Sequence, residues 1–464
     1  MRPTASRLRR AAAAFTILAS AASLASCSTS DDPGADGETS NEQASISLPD
    51  TAAGQQMAWF LSASASPPIG EDELRERFTE DFLANVSPEE LNSTLEQFGG
   101  FTTESIASDE PDELVIVASA NEERLNIAVA VNEEGRIAGL TISPAAPEMP
   151  APPTGWDDLD ERLDGIAPDS SFLAARMDAD GSCASVHERA ATETVPIASV
   201  FKLFVLDAVA RALGEGTISP DTTVTVRDAT KSWPTGVLQD EADGTAVTVT
   251  EATELMMALS DNTATDLLID LVGRDAVEQS FASITGDPES NAPLLNTREM
   301  FLLKAVDYPV LADEYSGLDS ATAKRDFIEG TLASTGLPPV SEASGWTAPR
   351  HVDEIEWFAS LSEVCEAYAA LADHEEPLVE ASLSLNDGGI GLDEQQWPTV
   401  WFKGGSEPGV LALSYRAVDE DGQAVFVALV SRDPGLDISD ANATSGQIQD
   451  ALSITKGGLN LVRE

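Results

Sequence analysis

The sequence predicts a two-domain α+β protein, an antiparallel sheet flanked by helices with a smaller α+β domain before it. Three observations carry that expectation. A proline-rich stretch at 143–153, stiff and extended by composition, interrupts the chain. Before it, three segments with helical patterning (52–63, 71–84 and 88–98) precede strand-like runs at 113–120, 124–132 and 136–143. After it, two short strand-like runs lead into an apolar-rich segment, 198–213, that reads as a buried helix. The 464 residues are 42% hydrophobic, enough apolar material for more than one core.

Taken in order, the chain begins with Arg2, Arg7, Arg9 and Arg10, then an apolar run at 11–22 containing Phe15, Ile17 and Leu18. The run is too short to span a bilayer and reads as the core of a signal peptide covering 1–26. It ends in Leu24-Ala25-Ser26-Cys27, which resembles the bacterial lipobox. That resemblance implies lipidation of Cys27 and an extracytoplasmic protein held on the cell membrane; ordinary secretion with cleavage nearby is the alternative. Residues 27–47, rich in Asp, Gly, Ser and Glu, form a flexible tether.

The small domain spans 48–143. Ser87 is an expected N-cap, with Glu90 completing a capping box, and Asn132-Glu133-Glu134-Gly135 is a hairpin turn. Helices followed by a meander are similar to the cystatin-like and ketosteroid-isomerase-like folds. No acid–base constellation stands out in this stretch, so spacing, binding or packing is expected of it rather than catalysis. The linker at 144–154 leads into the larger domain, 155–464. There, 156–166 is an expected helix, and strands at 171–177 and 182–189 flank the turn Asp178-Ala179-Asp180-Gly181.

The formal net charge is -54. Such a surface repels phosphates and anionic headgroups, which excludes nucleic-acid partners. It fits either a strongly hydrated surface or adaptation to high salt, where the screening length falls to roughly 3 Å at 1 M. Cys27, Cys183, Cys365, His187, His351 and His374 show no metal-ligand spacing, so no metal or cofactor is expected. Outside the cytoplasm Cys183 and Cys365 could pair; two buried thiols fit the sequence equally well.

The chemistry concentrates in three motifs. Ser199 and Lys202, one helical turn apart, supply a nucleophile and a base. Ser260-Asp261-Asn262 follows a helical stretch at 251–259, and Lys403-Gly404-Gly405-Ser406 ends a strand-like run at 399–402. Read as S-x-x-K, S-D-N and K-G-G, the ordered set resembles the penicillin-recognising serine hydrolases, namely class A β-lactamases and D-alanyl-D-alanine peptidases. Trp233-Pro234-Thr235-Gly236-Val237-Leu238 resembles the loop before the second motif. Asn296-Thr297-Arg298-Glu299-Met300 resembles the segment after that family's Ω-loop. A tethered accessory cone followed by this fold also resembles a group of actinobacterial lipoproteins.

The resemblance implies roles for individual residues. Ser199 attacks a carbonyl, Lys202 takes its proton and Ser260 relays a proton to the leaving group. Asn262 binds Lys202 or the substrate amide, and Lys403 attracts a substrate carboxylate, with Arg416 a further candidate for that group. Gly404 and Gly405 let an edge strand approach the ligand, and the backbone N–H groups of Ser199 and Ser406 form an oxyanion hole. Two departures stand out. The third motif has Gly404 where the family usually has threonine. The Ω-loop glutamate that activates deacylating water aligns with Ala292, and Glu289 is out of register. The region 285–296 looks short, and an insertion around 315–393 is expected, with Gly388-Gly389-Ile390-Gly391 as a loop beside the site. The reading is a lipid-anchored serine hydrolase acting on β-lactams, cell-wall peptides or esters with slow deacylation. The alternative is a non-catalytic cell-wall or ligand-binding lipoprotein on the same fold.

Overall fold

The computed structural model describes residues 46–121, 123–178, 181–289, 291–339, 346–435 and 441–463. The signal segment, Cys27 and nearly all of the tether lie outside them, as do Ala179 and Asp180 of the expected turn. The chain divides into two compact units between Ala146 and Pro147, inside the proline-rich stretch.

In the smaller unit, α1 (Ala52–Ser64) is capped by Thr51 Oγ1, which accepts from Gly54 N at 3.1 Å. The stretch expected as one helix over 71–84 is two, α2 (Glu71–Arg77) and α3 (Glu80–Asn85). The break puts Phe78 into the core, 1% exposed and 4.7 Å from the Phe82 ring, while Thr79 N donates to Ile137 O at 2.9 Å. A tertiary contact overrides helix continuity here. Helix α4 (Pro88–Phe98) carries the expected capping box: Glu90 N donates to Ser87 Oγ at 3.2 Å and Ser87 N to the Glu90 carboxylate at 2.9 Å.

Strands β1 (Thr102–Asp109), β2 (Glu113–Ala120), β3 (Glu123–Val131) and β4 (Ile137–Pro144) form an antiparallel meander in that order. Alternation along β2 buries Leu114, Ile116 and Ala118 in a core shared with Met57, Phe60 and Leu95. Strand β1 was not anticipated. It is an edge strand whose side chains are almost all exposed, so no buried alternation marks it in the sequence.

The larger unit is built on one antiparallel sheet. Helix α5 (Trp156–Ile166) precedes β5 (Asp169–Met177) and β6 (Cys183–Arg189). The two-residue strand β7 (Val195–Pro196) leads into a 3₁₀ turn, Ala198–Phe201, and then α6 (Lys202–Gly214). A small hairpin, β8 (Thr223–Thr225) with β9 (Ala246–Thr248), is followed by α7 (Val249–Ala258), α8 (Asn262–Val272), α9 (Arg274–Thr285) and α10 (Thr297–Ala305).

After α11 (Val310–Ser316), much of the expected insertion is helical: α12 (Ala321–Gly330), α13 (Leu361–Asp373) and α14 (Pro377–Leu383). Strand β10 (Phe358–Ala359) pairs with β7. The chain returns to the sheet as β11 (Thr399–Glu407), β12 (Val410–Val418) and β13 (Ala424–Arg432), and closes with α15 (Ala441–Arg463).

The sheet order is β11-β12-β13-β5-β6, so the first and last segments of the unit meet at β13 and β5. Both faces are covered, which gives three layers. Phe172, Tyr415 and Val427 pack with Leu159, Leu452 and Leu459 on one side. Leu173, Phe426 and Ala428 pack with α6 and α8 on the other. Cys183 and Cys365 form a disulfide that ties β6 to α13. Among the described residues no helix is long and apolar enough to cross a membrane.

Candidate active site

Ser199 lies on the 3₁₀ turn rather than inside a helix, and α6 begins at Lys202. Ala198, just before it, adopts φ 44°. The turn is held from outside: Ile197 N donates to Trp357 O at 2.9 Å, and the Phe201 ring stacks on Trp357 with centroids 3.7 Å apart. Strand β11 presses against the turn. A Cβ on Gly405 would sit 2.4 Å from Ser199 N and 2.9 Å from Ala198 Cβ, so only glycine permits the approach.

Lys202 is fully buried, and its ammonium donates to Ser260 O at 2.7 Å, Ser260 Oγ at 3.0 Å and Asn262 Oδ1 at 2.6 Å. Burial, and then the Lys403 cation, push its pKa well below the ordinary lysine range against the pull of Asp261 and Asp266. Lys403, 2% exposed, donates to Ser260 Oγ at 3.0 Å and Gly404 O at 2.7 Å. Burial lowers its pKa to about 7. One hydroxyl therefore bridges two buried amines. Ser260 reaches this position through a left-handed backbone, φ 54°, at the junction of α7 and α8. Asn262 uses both ends of its amide, since Nδ2 donates to Trp233 O at 3.1 Å.

The middle residue of the second motif, to which the sequence assigned no role, anchors the opposite loop. Asp261 caps α8 at Ala264 N (2.8 Å) and also accepts from Val237 N (2.7 Å) and Leu238 N (3.0 Å). Burial raises its pKa while these backbone donors oppose that shift. A Cβ on Gly236 would come within 2.2 Å of Asp261 Cγ, which explains the glycine in that loop. Asp266, also missed, accepts from Thr297 N, Thr297 Oγ1 and Arg298 N at 2.8–2.9 Å and so fixes the start of α10. Burial raises its pKa to about 7. Both could have been found as carboxylates in otherwise apolar helical segments.

Two expectations about placement need correction. Arg416 does not join the cluster. Its β12 position pairs with Trp401, whereas Lys403 pairs with Ser414, and its guanidinium lies 4.5 Å over the Trp401 ring. The loop 388–391 adjoins the strand that carries Lys403 but on its other face, where a Cβ on Gly388 would meet the Phe402 ring at 2.5 Å. Ile390 is fully buried on the α15 side of the sheet, and Lys456 donates to Ile390 O and Gly391 O. Gly404 has a structural reason, because a Cβ there would meet the Phe402 ring at 2.7 Å. Ser406 is exposed, one residue beyond the Gly405 contact with Ser199.

Residues 179–315, which include Ser199, Lys202, Ser260 and Asn262, match the family described as the beta-lactamase enzyme family. Residues 48–137 of the smaller unit match the family described as the N-terminal region of the ORF 12 gene product. A solved β-lactamase from Sphaerobacter thermophilus is 20% identical, covering 67% of this chain and 98% of its own, with a TM-score of 0.45. A β-lactamase from Xanthomonas campestris pv. campestris is 16% identical, covering 67% and 100%, also at 0.45. The structure of PBP-A is 16% identical over 68% and 100%, at 0.41. No curated protein matches the sequence.

In the larger unit the segment before α10 holds no carboxylate at the position where a glutamate was sought. Ala292 is half-buried and Glu289 is exposed. Asn291 instead pairs its side-chain amide with Phe358 N (2.7 Å) and O (2.8 Å), fastening this segment to β10. The buried acid of the segment before β10 is Glu356, 7% exposed, which accepts from Trp357 N at 2.8 Å. Burial, and then the facing Glu407 carboxylate, raise its pKa well above the usual range. Glu407 is held by the fully buried Lys304 at 2.5 Å. That shift favours the protonated form of Glu356. Among the described residues no cluster of His, Cys, Asp and Glu could hold a metal ion.

Proposed function

We propose that this chain is an envelope-anchored serine hydrolase acting through a Ser199 acyl-enzyme on β-lactams, cell-wall peptides or small esters, with slow deacylation. The observation that carries this reading is Ser260 Oγ at 3.0 Å from both Lys202 Nζ and Lys403 Nζ, with Lys202 buried and its pKa depressed. Ser199 Oγ attacks the carbonyl carbon and its proton passes to neutral Lys202. The oxyanion is received by the N–H groups of Ser199 and Ser406, each such donor contributing about 2.7–4 kcal/mol in comparable sites. On collapse, the leaving nitrogen or oxygen takes its proton from Ser260 Oγ, which is resupplied by Lys202. Protonated Lys403 attracts a substrate carboxylate. Deacylation then needs a base for water, and Ala292 at the expected position supplies none.

The test is incubation of the full chain with a labelled penicillin and a chromogenic ester, followed by intact-mass measurement. A stable adduct on the wild type, absent from Ser199→Ala, is expected. Neither adduct nor turnover above that control would rule the reading out, and tight binding of cell-wall fragments that survives Ser199→Ala would point to the non-catalytic alternative. The anchor is tested separately. Cys27→Ala should leave the protein in the soluble fraction, whereas a membrane-bound mutant beside an unlipidated wild type would refute it.

A further inference from the structure

Arg416 has a setting of its own, away from Ser199. Its Nε is buried with no acceptor, and burial lowers its pKa against the more distant pull of Glu380. The neighbouring Trp401, 5% exposed, has an indole N–H that is likewise without an acceptor. This occurs in a chain with 80 acidic and 26 basic side chains, where carboxylates to pair with an arginine are abundant. A buried donor left without a partner typically costs about 1–3 kcal/mol.

Arg416 lines an open cavity of about 670 Å³ between α13 and the sheet ends. The apolar part of the wall is small: Ala369, Ala370 and Ala372 of α13, with Met177 and Ala424 across from them. Glu366, Asp373 and Asp178 also line it. Burial, and then Glu363, raise the Glu366 pKa, as expected for a carboxylate with no cation beside it. The disulfide lies next to one wall, since Cys365 precedes Glu366 on α13. None of Ser199, Lys202, Ser260, Asn262 and Lys403 lines the cavity.

A cavity whose lining carries one guanidinium and three carboxylates disfavours a simple anion, which the acids repel, and a simple cation, which Arg416 repels. A molecule carrying both charges satisfies each side: its carboxylate takes the two-pronged arginine contact, and its ammonium takes Glu366 or Asp373. The volume falls within the usual range for small-molecule sites, roughly 300–1,000 Å³, and the alanine wall suits small side chains. We propose that this cavity is a second ligand site, distinct from the Ser199 site, for a zwitterionic amino acid or short peptide.

The test is a calorimetric titration of the full chain carrying Ser199→Ala with the dipeptide alanylalanine, its N-acetyl derivative and its C-terminal amide. Saturable millimolar-or-tighter binding of the dipeptide is expected, weakened about tenfold or more by either blocking group, because each removes one charged contact. Arg416→Met should weaken it similarly, with circular dichroism as the check on folding. Glu366→Gln, on the exposed side of α13, provides a second variant that should fold normally and weaken binding of the free dipeptide more than that of its N-acetyl form. Absence of saturable binding, equal binding of all three probes, or affinity unchanged by both Arg416→Met and Glu366→Gln would overturn the proposal.

Discussion

At the scale of single residues, the two lysines owe their roles to burial more than to identity. Each has lost water, each lies 3.0 Å from Ser260 Oγ, and the charge of Lys403 further depresses Lys202. In the proposed reaction their requirements are opposite, since Lys202 must be neutral to accept a proton while Lys403 must be charged to attract a carboxylate. Burial lowers the Lys403 pKa to about 7, so its charge is present below that pH and lost as pH rises through it. For a substrate with a carboxylate, KM should therefore rise as pH passes about 7, while KM for a neutral ester should stay flat. Steady-state profiles from pH 5.5 to 9, a window of roughly two units either side of 7, check this. The charge difference also acts on stability. A lysine with a lowered pKa in the folded state binds fewer protons than the unfolded chain between about 7 and its ordinary 10.5, so its penalty eases as pH rises across that window.

Elements impose a second constraint through the approach of β11 to the 3₁₀ turn. Gly405 and Gly404 are adjacent glycines in one motif, yet what surrounds them differs. A methyl on Gly405 would meet Ser199 N, backbone that cannot turn aside, whereas on Gly404 it meets the outer edge of the Phe402 ring. Gly405→Ala should push the strand off the turn and lower the acylation rate by about two orders of magnitude, the effect of losing one oxyanion donor. Gly404→Thr should stay within about tenfold of wild type, with a stability loss of about 1–3 kcal/mol from overpacking against Phe402. Stopped-flow acylation with urea unfolding separates the two outcomes. The segment before β10 belongs to the same level, because Trp357 holds Ile197 through its carbonyl and Phe201 through its ring.

Over the whole molecule, the disulfide is the longest covalent tie, closing a separation of 182 residues between β6 and α13. Replacing both cysteines by serine should lower unfolding free energy by about 2–5 kcal/mol, read from urea transitions under non-reducing conditions. The two units have separate apolar cores, one around Met57, Phe60 and Ile116 and the other on both faces of the five-stranded sheet. The strong net negative charge is a property of the whole chain, and it leaves few cations to serve as ligand contacts.

Periodicity and caps are local, and they were legible. The helices Pro88–Phe98 and Trp156–Ile166, the Ser87–Glu90 capping box and strand β2 follow from side-chain spacing within a few residues. The motif residues stand out by type and order, and Lys202, Ser260, Asn262 and Lys403 meet in one hydrogen-bonded cluster. What needed the tertiary structure were relations between distant segments: the break at Phe78, the exposed edge strand β1, the disulfide, and the anchoring of loops by Asp261 and Asp266. Arg416 shows the limit most plainly. By sequence it lies close to Lys403, but β-pairing register sends it to Trp401 and a different cavity. Residue type and local pattern are written in the chain, whereas burial, register and the pKa shifts they cause exist only once distant segments meet.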